Sequence, residues 1–478
     1  MARGYLKWVL GPAAAILVAA CSSEPYSARP VDPDAMVTQF LARSADAGGL
    51  KTFAVANGYA ARDWPPQQWT LKELTLVALY FHGDIRTAQA RADVARAELR
   101  SAAQTQAWSA RFKPEYHSQK LAYGDGPWTL GVELEIPLVA QSKRAARAER
   151  NAFLADAAEL DIASAAWTVR ARVRDHYLDL QESRDALESL DAQLDARKNM
   201  VGVVTRRVDA GMLSSRELGA ERVAYSQLEL LRSHEMARQQ RALGELAAAL
   251  GLPLDVVERM KLRFDALPPP QMDMDAGALR RLTLRNRLDV HRKLLEFGAA
   301  DAEVKSAVAA QNPDIMIGPG YNWDQGDNIW SLAIGISVPQ PAQSRASIRE
   351  AQARRELAAE QFAATQADAI SLVERAAAQY QLAHARMAAA EHQLQMQREQ
   401  EARVNRQFDT GAADRMQRIT AHIDTLASET ILQASIVELH HAIAHLEDAV
   451  QRPLLGDFAA LPPPRPAMAA DQTAVAKP

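Results

Sequence analysis

The 478-residue sequence lacks several features that mark other classes of protein. It has no Rossmann glycine fingerprint, no phosphate-binding loop and no evident catalytic signature. Its formal net charge of −4 is nearly neutral for this length, which argues against a nucleic-acid partner. We therefore predict a protein that is not an enzyme and carries no cofactor and no resident metal.

Long apolar runs are also scarce. After Cys21, none approaches the roughly 20 residues that a transmembrane helix needs. If the chain crosses a bilayer, it must do so with β-strands, because only helices and closed sheets satisfy their backbone groups in lipid.

Cys21 is the single cysteine, and its position is informative. Residues 1–20 have a basic start, an apolar run and small residues at the end, as a secretory signal peptide does. The stretch Val18-Ala19-Ala20-Cys21 resembles a bacterial lipoprotein box, which implies a lipidated, palmitate-bearing Cys21. By the same resemblance, Ser22 suits transfer to the outer membrane. The alternative is an ordinary signal peptide with an incidental cysteine.

The rest of the chain is an internal duplication. Residues 141–208 carry an apolar residue at every seventh position, which predicts the seam of a coiled coil. The seam residues are Val173, Leu180, Leu187, Leu194, Val201 and Val208 in the first copy, and Val373, Tyr380, Met387, Leu394 and Phe408 in the second, where Glu401 is the only break. Each seam ends in a similar glycine turn, so the sequence predicts one unit present twice.

The hydrophobic period changes from helical to two in one segment of each copy. Residues 129–136 alternate strictly between apolar and polar or small residues, and residues 330–338 do the same. Turn residues and a less regular strand precede each segment, so each copy is predicted to contain one β-hairpin.

The order of elements divides the chain into segments. Each copy is predicted to consist of a helix (about 70–111 and 276–311), a hairpin, a long helix and a second helix. The predicted segments are a signal peptide (1–20), a lipidated N-terminal linker (21–68), repeat 1 (69–266), a Pro-rich linker (267–273), repeat 2 (274–455) and a disordered tail (456–478).

Two hairpins supply too few strands to close a barrel, since roughly eight are the usual minimum. A membrane-spanning sheet would therefore need several chains. The predicted fold class is mainly α with a small β part: internally duplicated long coiled-coil helices plus two β-hairpins.

This order and duplication, over about residues 69–455, resemble the TolC-like outer-membrane efflux factor family. The resemblance implies a homotrimer whose hairpins form a 12-stranded β-barrel in outer-membrane lipid, continued by an α-helical barrel in the periplasm. It implies a passive exit duct of a tripartite efflux or type I secretion-like system. The implied partners are a periplasmic adaptor protein and an inner-membrane transporter.

The resemblance places both glycine turns at the periplasmic tip, where the duct opens and the adaptor docks. The candidate tip residues are Asp209, Gly211, Ser214, Asp409, Gly411, Asp414, Arg415 and Arg418. The second turn, Gly411-Ala412-Ala413-Asp414, departs from the family's usual glycine, apolar residue and Ser or Thr. Gln417 and Thr420 stand where members often place the aspartates of a constricting ring. Charge pairs among Asp414, Arg415 and Arg418 are one interpretation, and solvated side chains are the other.

Glu133 and Glu135 lie on the polar face of a predicted strand. In a trimer they would line the pore lumen and favour cations, whereas the alternative is a hydrated position near the barrel rim. Trp128 and Trp330, beside the hairpin turns, are predicted to be interfacial aromatic residues rather than packed ones.

Three histidines of the last helix are the only metal-site pattern. His441 and His445 share a helix face, and His440 is adjacent. No cysteine or tight carboxylate cluster joins them in the sequence, so solvated or packed histidines are favoured.

The alternative function is a periplasmic coiled-coil lipoprotein, adaptor-like or structural, that does not span the membrane. The two equal copies argue against an adaptor, and the apolar strand faces argue against a purely structural role.

Overall fold

The computed structural model describes residues 26–105, 107–119, 126–138, 140–264 and 275–454. The predicted signal peptide, Cys21, the linker 267–273 and the tail 456–478 lie outside the described residues. The chain divides into two units, Met1–Arg43 and Ser44–Pro478. The described part of the first contains one exposed helix, α1 (Pro33–Leu41), whose N-cap is Asp32.

The second unit contains the duplicated elements and two further short helices. They are α2 (Gly48–Ala56), α3 (Leu71–Phe81), α4 (Gly83–Ala103), β1 (Ser109–Tyr116), β2 (Trp128–Leu138), α5 (Gln141–Asp209), α6 (Ser215–Leu250), α7 (Leu254–Glu258), α8 (Ala276–Asn286), α9 (Leu288–Ala309), β3 (Asp314–Asp324), β4 (Asp327–Ser337), α10 (Pro341–Asp409) and α11 (Arg415–Val450). The long helices α5 and α10 have 69 residues each, and the return helices α6 and α11 have 36 each. The predicted duplication and the mainly α fold with a small β part are confirmed.

The first helix of each copy is divided, although the sequence predicts it as continuous. The break falls at His82 between α3 and α4, and at Arg287 between α8 and α9. Both residues have extended backbone angles, with ψ of 132° and 119°. In the first copy the His82 ring caps the next helix, because its Nδ1 accepts a hydrogen bond from the Asp84 backbone N–H at 3.2 Å. A break of one residue leaves the flanking helical pattern intact, so periodicity does not reveal it.

The segment before the first repeat is structured in part. The sequence shows no sustained period there, but α2 forms, and Leu50, Ala54 and Trp64 are buried in the largest apolar core with residues of α3, α5 and α6. Trp64 packs edge to face on Trp69, with ring centroids 5.6 Å apart. Isolated apolar residues supply this packing, and they do not form a periodic stripe.

The two predicted hairpins are confirmed, and they join in one antiparallel sheet of order β1-β2-β3-β4. The hairpins meet through β2 and β3, in a register that pairs Thr129 with Asp324 and Ile136 with Ile317. The strands β1 and β4 therefore form the two edges of the sheet. β2 also continues through Pro137, where the sequence predicts that the hairpin ends.

Packing of the helices is concentrated where α3, α5 and α6 meet, with a smaller second core among α8, α10 and α11. Within the described ranges, the helices include none with the length and apolar character that crossing a membrane requires.

Candidate functional site

The turn between α5 and α6 is set by its own sequence. Gly211 has a φ of +71°, a left-handed conformation that is costly for residues with a Cβ. Ser214 caps α6 in a capping box, since the Ser214 N–H donates to Glu217 Oε2 at 2.8 Å and Glu217 N donates to Ser214 Oγ at 3.4 Å.

The turn between α10 and α11 has the same geometry with different residues. Gly411 has a φ of +78°, and Asp414 takes the place of the serine as N-cap. Gln417 N donates to Asp414 Oδ1 at 2.8 Å, and Asp414 N donates to Gln417 Oε1 at 2.8 Å. The departure from the family's usual turn is therefore conservative, because aspartate is as good an N-cap as serine.

The two turns are joined by one ion pair that the sequence analysis missed. Arg207 Nη2, in the last turn of α5, donates to Asp414 Oδ2 at 3.0 Å, and Arg207 Nη1 lies 3.1 Å from Met416 Sδ. The Gln417 backbone N–H, followed by the Arg207 guanidinium, lowers the pKa of Asp414. The only sequence signal for Arg207 as the partner of Asp414 is that it is a basic residue in the last turn of α5.

The other candidate tip residues do not join this pair. Arg418 lies over the ring of Phe408, with 4.9 Å between the guanidinium carbon and the ring centroid. Among the described residues, no ion pair is found for Asp209, Asp409 or Arg415. The structure thus brings Asp414 to Arg207 rather than to Arg415 or Arg418.

The polar face of the sheet carries both signs of charge. Glu133 Oε2 lies 3.3 Å from Lys113 Nζ and 3.5 Å from Arg111 Nη1. Glu135 Oε2 lies 3.7 Å from Arg111 Nη2 and accepts a hydrogen bond from Ser109 Oγ at 3.1 Å. The cations come from β1, which alternates polar and apolar residues over Ser109–Tyr116, a signal that the sequence analysis missed. Two carboxylates and two cations therefore balance on this part of the face.

The opposite face of the sheet is apolar and exposed. Its exposed apolar residues include Phe112, Tyr116, Trp128, Leu130, Val132, Trp330, Leu332, Ile334 and Ile336. Trp330 is 80% exposed. Aromatic pairs lie at the turn end of both hairpins, with centroid separations of 5.0 Å between Tyr116 and Trp128 and 4.8 Å between Tyr321 and Trp330. The two predicted tryptophans are thus at the same end, each beside a tyrosine.

A buried charge cluster joins the two copies and was not predicted. Arg170 and Arg174 of α5 both contact Glu447 of α11, and all three side chains are at most 2% exposed. Arg174 also holds Asp448, with Nη2 2.7 Å from Oδ2. Glu447 accepts a further hydrogen bond from the Leu454 backbone N–H at 2.9 Å. Sequence reasoning assigns such arginines to solvated faces, because a long helix exposes most of its charged residues.

The three histidines of α11 do not converge. Burial lowers the pKa of His440, His445 is exposed, and His441 Nε2 lies 3.9 Å from Asp179 Oδ1 on α5.

Comparisons with known proteins agree with this architecture. The model of the outer membrane efflux protein family matches residues 279–430. Among curated proteins, no sequence match is found. VceC, an outer membrane protein of Vibrio cholerae, has a TM-score of 0.66 at 18% identity, over 80% of this chain and 96% of VceC.

Two further structures show the same fold. The CmeC outer membrane channel of Campylobacter jejuni has a TM-score of 0.65 at 14% identity, over 90% of this chain and 93% of CmeC. The open state of the MtrE outer membrane channel of Neisseria gonorrhoeae has a TM-score of 0.64 at 16% identity, over 80% of this chain and 89% of MtrE.

These matches bear on the predictions in two ways. Identities of 14–18% establish the fold, and the model of the outer membrane efflux protein family matches part of the chain, residues 279–430. The resemblance to TolC-like outer-membrane efflux factors that the sequence indicates is therefore confirmed, by the family match over residues 279–430 and by the fold.

Proposed function

We propose that this chain is one third of a trimeric outer-membrane exit duct for efflux. The observation that carries the proposal is the four-stranded sheet, with one exposed apolar face and one charged face, attached to duplicated long helices. An apolar face this exposed suits contact with lipid, and a charged face suits a water-filled lumen. The family match over residues 279–430 supports the same conclusion.

Oligomerisation follows from the sheet edges. The outer edges of β1 and β4 carry backbone groups that no strand within the chain pairs with in the described residues. In lipid each unpaired group costs several kcal/mol, so the sheet must close with other copies. Three chains supply twelve strands, which are enough for a closed barrel with a water-filled lumen.

The duct itself is passive in this proposal. It has no catalytic step, and its energy comes from an inner-membrane transporter linked through a periplasmic adaptor. The adaptor docks at the two glycine turns, and the Arg207–Asp414 pair keeps the turns together in the resting state. Lipidation of Cys21 anchors the mature chain in the outer membrane.

The test is single-channel conductance in planar bilayers, with the mass in detergent measured on the same sample. We expect a trimer with discrete conductance steps. A monomer without conductance would contradict the duct and favour the coiled-coil lipoprotein that does not span the membrane.

The charge balance on the sheet gives a second measurement. We propose that Glu133 and Glu135 line the lumen together with Arg111 and Lys113. Replacing both carboxylates by glutamine leaves two uncompensated cations in each chain, so the pore should shift toward anions. The matched variant, Arg111→Gln with Lys113→Gln, should shift it toward cations. Equal selectivity in both variants would place these residues outside the lumen.

A further inference from the structure

We propose that α5, α6 and α11 together form a binding site for one divalent transition-metal ion of the zinc class. The ligands are His176 and Asp179 on α5 and Glu245 on α6. The Nε2 atom of His441 on α11 lies 3.9 Å from Oδ1, the other carboxylate oxygen of Asp179.

The geometry of the ligand atoms carries the proposal. His176, Asp179 and Glu245 present ligand atoms within 4.8 Å of one another. His176 Nδ1 lies 3.4 Å from Glu245 Oε2 and 3.7 Å from Asp179 Oδ2. Ligands at about 2.0–2.2 Å from a tetrahedral zinc ion are separated by roughly 3.4 Å. The two separations from His176 Nδ1 are thus close to the edge of a zinc tetrahedron.

A second observation concerns the ring nitrogen of His176. Nδ1 is buried from solvent and, within the described residues, has no aligned hydrogen bond. A buried polar atom without such a bond is uncommon in proteins. An ion between the nitrogen and the two carboxylates would satisfy all three groups.

The charged groups beside the site do not occupy the three proposed ligands. Glu182 also faces Asp179, but its carboxylate is paired with Arg238 of α6. His441 Nε2, 3.9 Å from Asp179 Oδ1, is placed to orient the carboxylate as outer partners of metal ligands do. His176 and Asp179 are three residues apart, which places them on one face of α5.

The charges around the site also suit a cation, because the carboxylates of Asp179 and Glu245 both lie close to His176 Nδ1.

The consequence of binding would be structural. Repeat 1 contributes α5 and α6, and repeat 2 contributes α11, so an ion with His441 behind it would tie the two repeats together beside the buried arginine cluster. Binding to the folded chain alone would raise its thermal stability by mass action.

The experiment is a Co²⁺ titration of the chelator-stripped mature trimer, purified without a polyhistidine tag. Co²⁺ reports its ligand geometry through visible absorption. We expect one ion per chain, an absorption band typical of tetrahedral coordination, and at least tenfold weaker binding in His176→Ala and in Glu245→Gln. The control His392→Ala removes an exposed histidine of α10 and should bind as wild type does.

Three results would overturn the proposal. One is the absence of a Co²⁺ band in the wild type, and another is wild-type binding by His176→Ala. The third is loss of binding in Glu182→Gln with retention in Glu245→Gln, which would assign the ion to Asp179, Glu182 and His441 instead. Detergent mass and far-ultraviolet circular dichroism verify that each variant remains a folded trimer, and Glu245, being exposed, is the variant least expected to disturb packing.

Discussion

Glu447 is the residue whose replacement should most weaken the connection between the two repeats. Its side chain is fully buried and contacts both Arg170 and Arg174, which are 2% and 1% exposed. Glu447→Gln keeps the size of the side chain but removes its charge. Asp448 and Asp175 remain as carboxylates in contact with Arg174.

The expected size of the effect follows from burial. Removing one partner of a buried ion pair costs about 3–5 kcal/mol, because the remaining charge stays in a poorly solvated place. An exposed pair contributes about 0–1 kcal/mol. Glu429 supplies the matched control: it contacts Arg398 at 2.8 Å, but the side chains are 37% and 61% exposed.

The assay is thermal unfolding of the trimer in detergent, followed by circular dichroism. With roughly 2–4 °C per kcal/mol for domains of ordinary size, Glu447→Gln should lower the Tm by about 10 °C, and Glu429→Gln by at most about 4 °C. Equal shifts in the two variants would refute the reasoning from burial. A Glu447→Gln shift below about 3 °C would show that the remaining partners of the two arginines compensate for the lost carboxylate.

Three other predictions concern the tip and the sheet. Gly411→Val should destabilise the turn by about 1–2 kcal/mol, because Gly411 has a φ of +78° that a side chain with a Cβ disfavours. Gly219→Ala should instead be stabilising, because Gly219 lies inside α6 and a Cβ there meets no atom within 4 Å. Thermal unfolding distinguishes the two variants. The lowered pKa of Asp414 means that the contact with Arg207 is fully present above the ordinary carboxyl pKa and is lost as the pH falls through the lowered value. Conductance should therefore rise below about pH 4, and Asp414→Asn, which keeps the N-cap, should conduct at pH 7 as the wild type does in acid. Trp330→Ala, at a side chain 80% exposed, should leave the Tm in detergent within about 1 °C and reduce insertion into liposomes; a large loss of Tm would indicate packing instead.

Local pattern accounts for most of the element order. The seven-residue repeat predicts α5 and α10 to within a residue or two of their ends, since a seam of this length has no other stable conformation. The strict alternation over residues 129–136 predicts β2, and the glycine turns predict where the long helices end, because a left-handed residue at that position is a property of the local chain.

The candidate site was less predictable from sequence. Glu133 and Glu135 lie on the polar face as expected, but their partners Arg111 and Lys113 belong to β1, and only the register of β1 against β2 shows that they are neighbours. Asp414 was identified as a tip residue, whereas its partner Arg207 lies in the other repeat. A pattern along one segment cannot report a contact with another.

Tertiary structure decided the pairing of the two repeats. The register of β2 against β3 and the burial of Arg170 and Arg174 around Glu447 join residues of different repeats. Within repeat 1, the packing of α6 on α5 brings Glu245 to His176 and Asp179. Helix and strand periodicity are local consequences of backbone geometry, and so they are written in consecutive residues. Which charged residues become buried depends on which helix packs against which, and that is settled only when the two copies come together.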